Sequence, residues 1–173
     1  MKFFIRYVFW SRRRNPKSAM ELTLFEFHYR CKNCNNEFDV LDLPPEGTYG
    51  EFIMYGQNGE IAYWNGITDP VFKEVSKFTN SLTPLADLDE IAQSSAFLEI
   101  CGVCCDLARE GSVFRVRPSC PDCKSEDIRL LREIDPQHGI VVDVPCITHN
   151  TWNRLSQEEK KQQLLKALKE INM

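Results

Sequence analysis

No run of this sequence approaches the roughly 18 apolar residues that span a bilayer, so no membrane-crossing helix is expected. It contains no glycine-rich phosphate loop, no G-x-S-x-G elbow and no H-E-x-x-H pair. Those gaps exclude the familiar signatures of P-loop nucleotide binding, α/β-hydrolases and zinc proteases. No internal repeat and no low-complexity segment interrupts the chain. Histidine is scarce, with three in 173 residues. A secretory leader would place its charges before a long apolar core. Here the apolar opening MKFFIRYVFW is broken by Arg6, and the arginines follow it.

Cysteine is the residue present in excess. There are eight, and Cys31/Cys34 and Cys120/Cys123 are each separated by two residues. Such spacing without a secretory leader points to thiolate metal ligands in a reducing compartment, so a cytoplasmic location is expected. Apolar residues make up 43% and charged residues 27%, an ordinary globular balance.

The charge is unevenly placed. Residues 1–19 carry six basic groups and no acidic ones, which leaves residues 20–173 with 15 basic and 25 acidic groups, a net of −10. The basic, aromatic start fits either a membrane-surface anchor or translation from an upstream start codon, with Met20 the true first residue. The acidic remainder disfavours nonspecific binding to nucleic acid. It suits a basic protein partner and steered association.

Local patterns supply the elements. ELTLFEFHYR alternates as a strand into Cys31, and EFDVLDL leaves as a second strand. Asn58-Gly59 between two short apolar runs predicts a hairpin. Asp69-Pro70 predicts a helix start, with Val71, Phe72, Val75 and Phe78 buried. Thr83-Pro84 predicts another, followed by Leu85, Leu88, Ile91 and Ala92. SVFRVR, DIRLLREI and GIVVDV read as strands. Ser156 and Glu159 form a capping-box pattern before a last helix with Leu164, Leu165, Leu168 and Ile171 on its stripe. Trp10, Trp64 and Trp152 are expected in or beside the core. The fold class is α+β.

Two cysteine sets compete for one ion. The first is Cys31, Cys34, Cys120 and Cys123, with both knuckles at strand ends. The second is Cys101, Cys104, Cys120 and Cys123, whose C-x2-C-x15-C-x2-C spacing is more compact. A further site from Cys101, Cys104, Cys146 and His149 has suitable ligand types, and its plain alternative is cysteines packed in the core. YRCKNCNNEF and CPDCKSEDIRLL resemble the two knuckles of zinc-ribbon proteins, with 85 residues between them where ribbons have a short stretch. That resemblance implies a structural Zn2+ on four thiolates. It divides residues 20–173, as a single domain, into a ribbon at 21–43 and 112–134, an insertion at 44–111 and an extension at 135–173.

Four thiolates leave no coordination position for substrate. PSCPDC matches half of a zinc-deaminase signature, but the H-x-E half is missing, because His28 is followed by Tyr29 and Arg30. No βαβ context supports a thioredoxin-type role for CGVC. The leading expectation is therefore a non-catalytic zinc protein that recognises another protein, in an immunity- or adaptor-type role. The alternatives are nucleic-acid binding through Arg115, Arg117, Arg129 and Arg132 with Phe114, or an enzyme whose site would be a deep pocket lined by His149, Asp143 or Glu60.

Overall fold

The computed structural model describes residues 19–44, 49–80, 89–135 and 137–171. The elements are β1 (Ala19–Cys31), β2 (Glu37–Asp42), β3 (Glu51–Tyr55), β4 (Ile61–Asn65), α1 (Pro70–Asn80), α2 (Glu90–Ile100), β5 (Ile128–Glu133), β6 (Ile140–Pro145) and α3 (Gln157–Ile171). Short 3-10 turns lie at Cys101–Cys104 and Trp152–Arg154. The fold is α+β, as expected. Most of residues 1–19, the Thr83-Pro84 start with Leu85 and Leu88, and Trp10 lie outside the described residues. Among those described, no helix is long and apolar enough to cross a membrane.

Strand β1 organises the larger sheet. Its N-terminal half pairs antiparallel with β6, from Ala19 opposite Pro145 to Leu24 opposite Ile140. Its C-terminal half lies between β2 and β5, both antiparallel. The ladder to β5 skips Leu131, so a bulge separates His28 opposite Arg132 from Tyr29 opposite Leu130. Side chains alternate across the pleat. One face therefore carries Phe27, Tyr29, Phe38 and Val40. The other carries two charged rows, Glu37–Arg30–Arg129 and Asp39–His28–Arg132.

The β3–β4 hairpin forms as expected, with Tyr55 opposite Ile61. Gly59 takes a φ of +80° in its turn and donates its N–H to the Gly56 carbonyl. Only the glycine of the Asn58-Gly59 pair enters the left-handed region, so the turn is a three-residue loop rather than a two-residue one. Both faces of this hairpin are covered. Met54, Ala62 and Trp64 face a cluster shared with the helices, including Val71, Val75, Ile100, Cys104, Phe114, Trp152, Leu164 and Leu168. Ile53, Tyr55 and Tyr63 face the sheet cluster of Leu24, Cys31, Phe38, Leu41, Cys120 and Val144. The hairpin is a wall between two apolar cores.

Helix α1 begins where Asp69-Pro70 predicts it. The Asp69 carboxylate accepts from the Val71 amide at 2.7 Å, and Val71 and Val75 are buried while Phe72 and Phe78 are half-buried. Helix α2 is capped by Asp89, which accepts from the Ala92 amide at 2.8 Å. Helix α3 carries the expected capping box. The Ser156 amide donates to Glu159 at 2.8 Å, and the Glu159 amide donates to the Ser156 hydroxyl at 3.3 Å. An ion pair between a buried lysine and a half-buried glutamate, not foreseen in the sequence, ties α3 to α1. Lys160 Nζ lies 2.9 Å from Glu74, which also accepts from the Trp152 indole at 2.8 Å.

One predicted strand does not form. SVFRVR contributes only a single bridge, in which Arg115 exchanges both backbone hydrogen bonds with Tyr55. The segment is held instead by its neighbours. Phe114 presses its carbonyl against Gly102, where a Cβ would sit 1.7 Å from that oxygen. Pro118, which carries no N–H, then closes the segment against a longer ladder.

Candidate metal centre

The two C-x-x-C turns are copies of one backbone device. In the first, the Cys31 amide donates to the Asn36 carbonyl at 2.9 Å and the Asn35 amide donates to the Cys31 carbonyl at 3.0 Å. In the second, the Cys120 amide donates to Ser125 at 2.9 Å and the Lys124 amide donates to Cys120 at 3.0 Å. Asn35 and Lys124, each following the second cysteine of its pair, both take a φ of 61°. Glycine is the easy occupant of that conformation, and asparagine tolerates it better than lysine. Lys124 has added anchors in the hairpin tip, with Nζ 2.9 Å from the Gln57 carbonyl and 3.2 Å from Asn58 Oδ1.

The sheet brings the turns together. Cys31 sits opposite Ile128 at the end of the β1–β5 ladder, and the Lys32 amide donates to the Asp127 carbonyl at 2.9 Å. All four sulfurs then lie within 4.8 Å of one another. Cys31 and Cys123 are 3.5 Å apart, as are Cys34 and Cys120. A tetrahedral zinc with Zn–S bonds of about 2.3 Å spaces its sulfurs about 3.8 Å apart. Cys31 and Cys120 are buried and Cys34 and Cys123 are exposed.

The ionisation of this group favours a cation. The Asn33 side chain and the Ser125 amide draw Cys123 down to about 6. The Asn36 amide favours the Cys34 thiolate, but desolvation and the three neighbouring sulfurs outweigh it and push that thiol up to about 12. Four adjacent thiols cannot all ionise alone, and a bound divalent ion removes the conflict. The residues present thus fit Zn2+ by spacing, by turn geometry and by donor chemistry.

The competing set is not assembled. Cys101 and Cys104 belong to the helical core, on the other side of the hairpin from Cys120. The further set is divided as well. Cys101 donates its thiol to the Leu98 carbonyl at 3.1 Å. Cys146 lies against the sheet cluster, bridged to Tyr63. Cys104 and His149 do come together, and the third member of their group is Cys105.

His149 is nearly buried and fully engaged. Its Nδ1 is 2.7 Å from the Cys104 carbonyl and its Nε2 is 3.0 Å from Asp69. Asp69 also accepts from the Trp64 indole at 3.0 Å, and the Trp64 ring lies beside the imidazole. Burial opposes the charged imidazole, but hydrogen bonding and charge at Cys104, with Asp69 beside it, push its pKa up to about 9. Hydrogen bonding from Cys105 likewise outweighs burial at Cys104 and brings that thiol to about 7. The loop behind His149 is clamped by Asp106, which accepts from the Thr148 hydroxyl at 2.6 Å and the amides of Asn150 and Thr151 at 2.9 and 2.8 Å. The adjacent Cys104-Cys105 pair was the available sequence signal for this group.

The four arginines do not form a free basic face. Arg115 is paired with Glu126 at 2.8 Å and Arg117 with Glu99 at 3.5 Å. Arg129 and Arg132 sit on β5 in rows that also hold Glu37 and Asp39. His149, Asp143 and Glu60 sit in separate surroundings among the described residues. Asp143 is on β6 opposite Glu21, and Glu60 accepts from the Arg109 amide at 2.9 Å. A groove of about 340 Å³ runs instead along the aromatic face of the sheet. Its walls include Phe27, Tyr29, Leu43, Phe52 and Leu130, together with the half-buried Asp42 and Glu51.

No protein-family model, curated protein or solved structure matches this chain.

Proposed function

We propose that the protein is a non-catalytic zinc protein that recognises another protein, with Zn2+ held by Cys31, Cys34, Cys120 and Cys123. Four thiolates complete the coordination shell, so the ion's role is to lock β1, β2 and β5 together, not to activate substrate. The carrying observation is the groove beside that sheet. Its lining combines apolar and aromatic side chains with the half-buried carboxylates of Asp42 and Glu51, and Leu130 within it is 49% exposed. Such a surface suits a segment that offers a large apolar side chain next to a lysine or arginine. The acidic body would steer a basic partner towards it. An immunity- or adaptor-type role is the form of recognition consistent with this surface.

The test is a binding screen of short peptides that combine aromatic or leucine anchors with basic neighbours, read by amide shift changes in the zinc-loaded protein. Shifts confined to residues around Phe27, Phe52 and Leu130, and lost in Leu130→Glu, support the reading. Single-stranded and duplex DNA are titrated in parallel. Binding to DNA with a steep salt dependence, and none to peptides, would replace protein recognition with nucleic-acid recognition.

A further inference from the structure

We propose that Cys104, Cys105 and His149 form a second metal site, for a thiophilic ion such as Zn2+, with Asp69 as the group that orients the histidine. This site is independent of the ribbon and of the groove. Its three donor atoms lie within 4.8 Å of one another, and all three residues are at most 9% exposed. Two thiols and an imidazole are a donor set that zinc commonly takes.

The surroundings hold those donors in place. Gly102 lies hard against the Phe114 backbone, which fixes the 3-10 turn that ends at Cys104. The Asp106 clamp fixes the loop that presents His149, and the Asp106 amide itself donates to the Thr148 carbonyl at 2.8 Å. Asp69 contacts the ring through Nε2, so Nδ1 is the nitrogen on the Cys104 side. A ligating histidine almost always has a carboxylate, carbonyl or water on its far nitrogen, and Asp69 fills that role here. Without an ion, the Nδ1 proton rests on the Cys104 carbonyl. Metal binding would replace that proton and those on the Cys105 and Cys104 thiols, the latter now donated to the Cys101 carbonyl at 3.0 Å, while Asp69 keeps its hydrogen bond to Nε2.

Cys101 and Cys146 are excluded by position. The first lies outside the group whose donor atoms converge, and the second faces the other core. The histidine's apolar neighbours, Trp64 above all, shield the site from bulk water. That burial and the three-residue shell distinguish it from the half-exposed ribbon centre.

The full chain, reduced and loaded with Zn2+, is measured for metal content after removal of free ion. Two zincs per chain are expected. Cys105→Ser and His149→Gln should each retain one, and Cys34→Ser should lose the other. One zinc in the unsubstituted chain that Cys34→Ser abolishes, or two in both core variants, overturns the proposal. A Co2+ titration of the unsubstituted chain guards against misfolded variants. A second equivalent should add thiolate-to-cobalt absorption that is weaker per ion than the first, because two thiolates contribute rather than four. Saturation at one equivalent with four-thiolate absorption overturns the site without any substitution.

Discussion

At the ribbon, four sulfurs are delivered by two turns with the same hydrogen bonds and the same left-handed residue, and two of the four face solvent. In the helical core, Cys104, Cys105 and His149 are delivered by a 3-10 turn and a loop with no shared geometry, and all three are buried. The first arrangement is local and repeatable, so spacing reveals it. The second exists only because the tertiary packing assembles it. The two also differ in what holds the surrounding structure. The ribbon sheet closes around a candidate ion, whereas the helices close around Trp64, Trp152 and the Glu74–Lys160 pair.

Removing the metal proposed for Cys31, Cys34, Cys120 and Cys123 should therefore produce the largest effect. Zinc binding can contribute on the order of 10 kcal/mol to folding. Chelation, or Cys31→Ser, should release the β1, β2 and β5 amides to rapid hydrogen exchange. Protection that survives unchanged would mean that apolar packing alone holds this sheet.

Next in size is Glu74→Ala. It leaves the Lys160 ammonium buried without its carboxylate and frees the Trp152 indole N–H. Losing one member of a fully buried pair costs about 3 kcal/mol or more, and the partial exposure of Glu74 brings the expected loss below that figure. Urea unfolding should show that loss, with zinc content unchanged. A loss of zinc would show that the two regions are coupled.

A smaller effect is expected from His28, which lies 2.6 Å from Asp39 and 3.1 Å from Glu37 on the ribbon's outer face. The hydrogen bond to Asp39 raises its pKa above the ordinary value. A raised folded-state pKa makes this contribution complete below about pH 6.5, and the contribution is lost as pH rises through the folded value. The urea midpoint of the protein should fall over that interval relative to His28→Gln. Parallel pH profiles would remove His28 from the account.

The smallest effect separates the two knuckles from each other. Asn35→Gly relieves a left-handed asparagine and should raise stability by a few tenths of a kcal/mol. Lys124→Gly relieves a left-handed lysine but gives up its bonds to Gln57 and Asn58, so its gain should be cancelled or reversed. Thermal melts of both variants, zinc-loaded, make the comparison.

Much of this was legible from local pattern. Asp69-Pro70, Ser156 with Glu159, and Asn58-Gly59 each carry their structural consequence within four residues, and each element stands where expected. The ribbon cysteines were legible because both knuckles sit next to strands. SVFRVR misled because alternation marks a strand only when a neighbouring strand lies alongside, and here Tyr55 offers one bridge. Cys105 was missed as a neighbour of His149 because 43 residues separate them and no spacing rule connects them. The Glu74–Lys160 pair was invisible for the same reason, since it joins two helices that only the core brings together.

The hairpin wall has a consequence for the order in which the molecule can be made. Cys31 precedes Cys123 by 92 positions, and β1 finds β5 and β6 only after both cores' shared wall has been synthesised. On the ribosome the first knuckle must wait as a half-site while the hairpin and helices emerge. The aromatic face of β1 waits with it, until Ile53, Tyr55 and Tyr63 are there to cover it. Ribbon closure is thus a late, long-range event that the middle of the chain makes feasible. A shortened chain lacking residues 44–111 would carry all four ribbon cysteines and no surface on which to fold them.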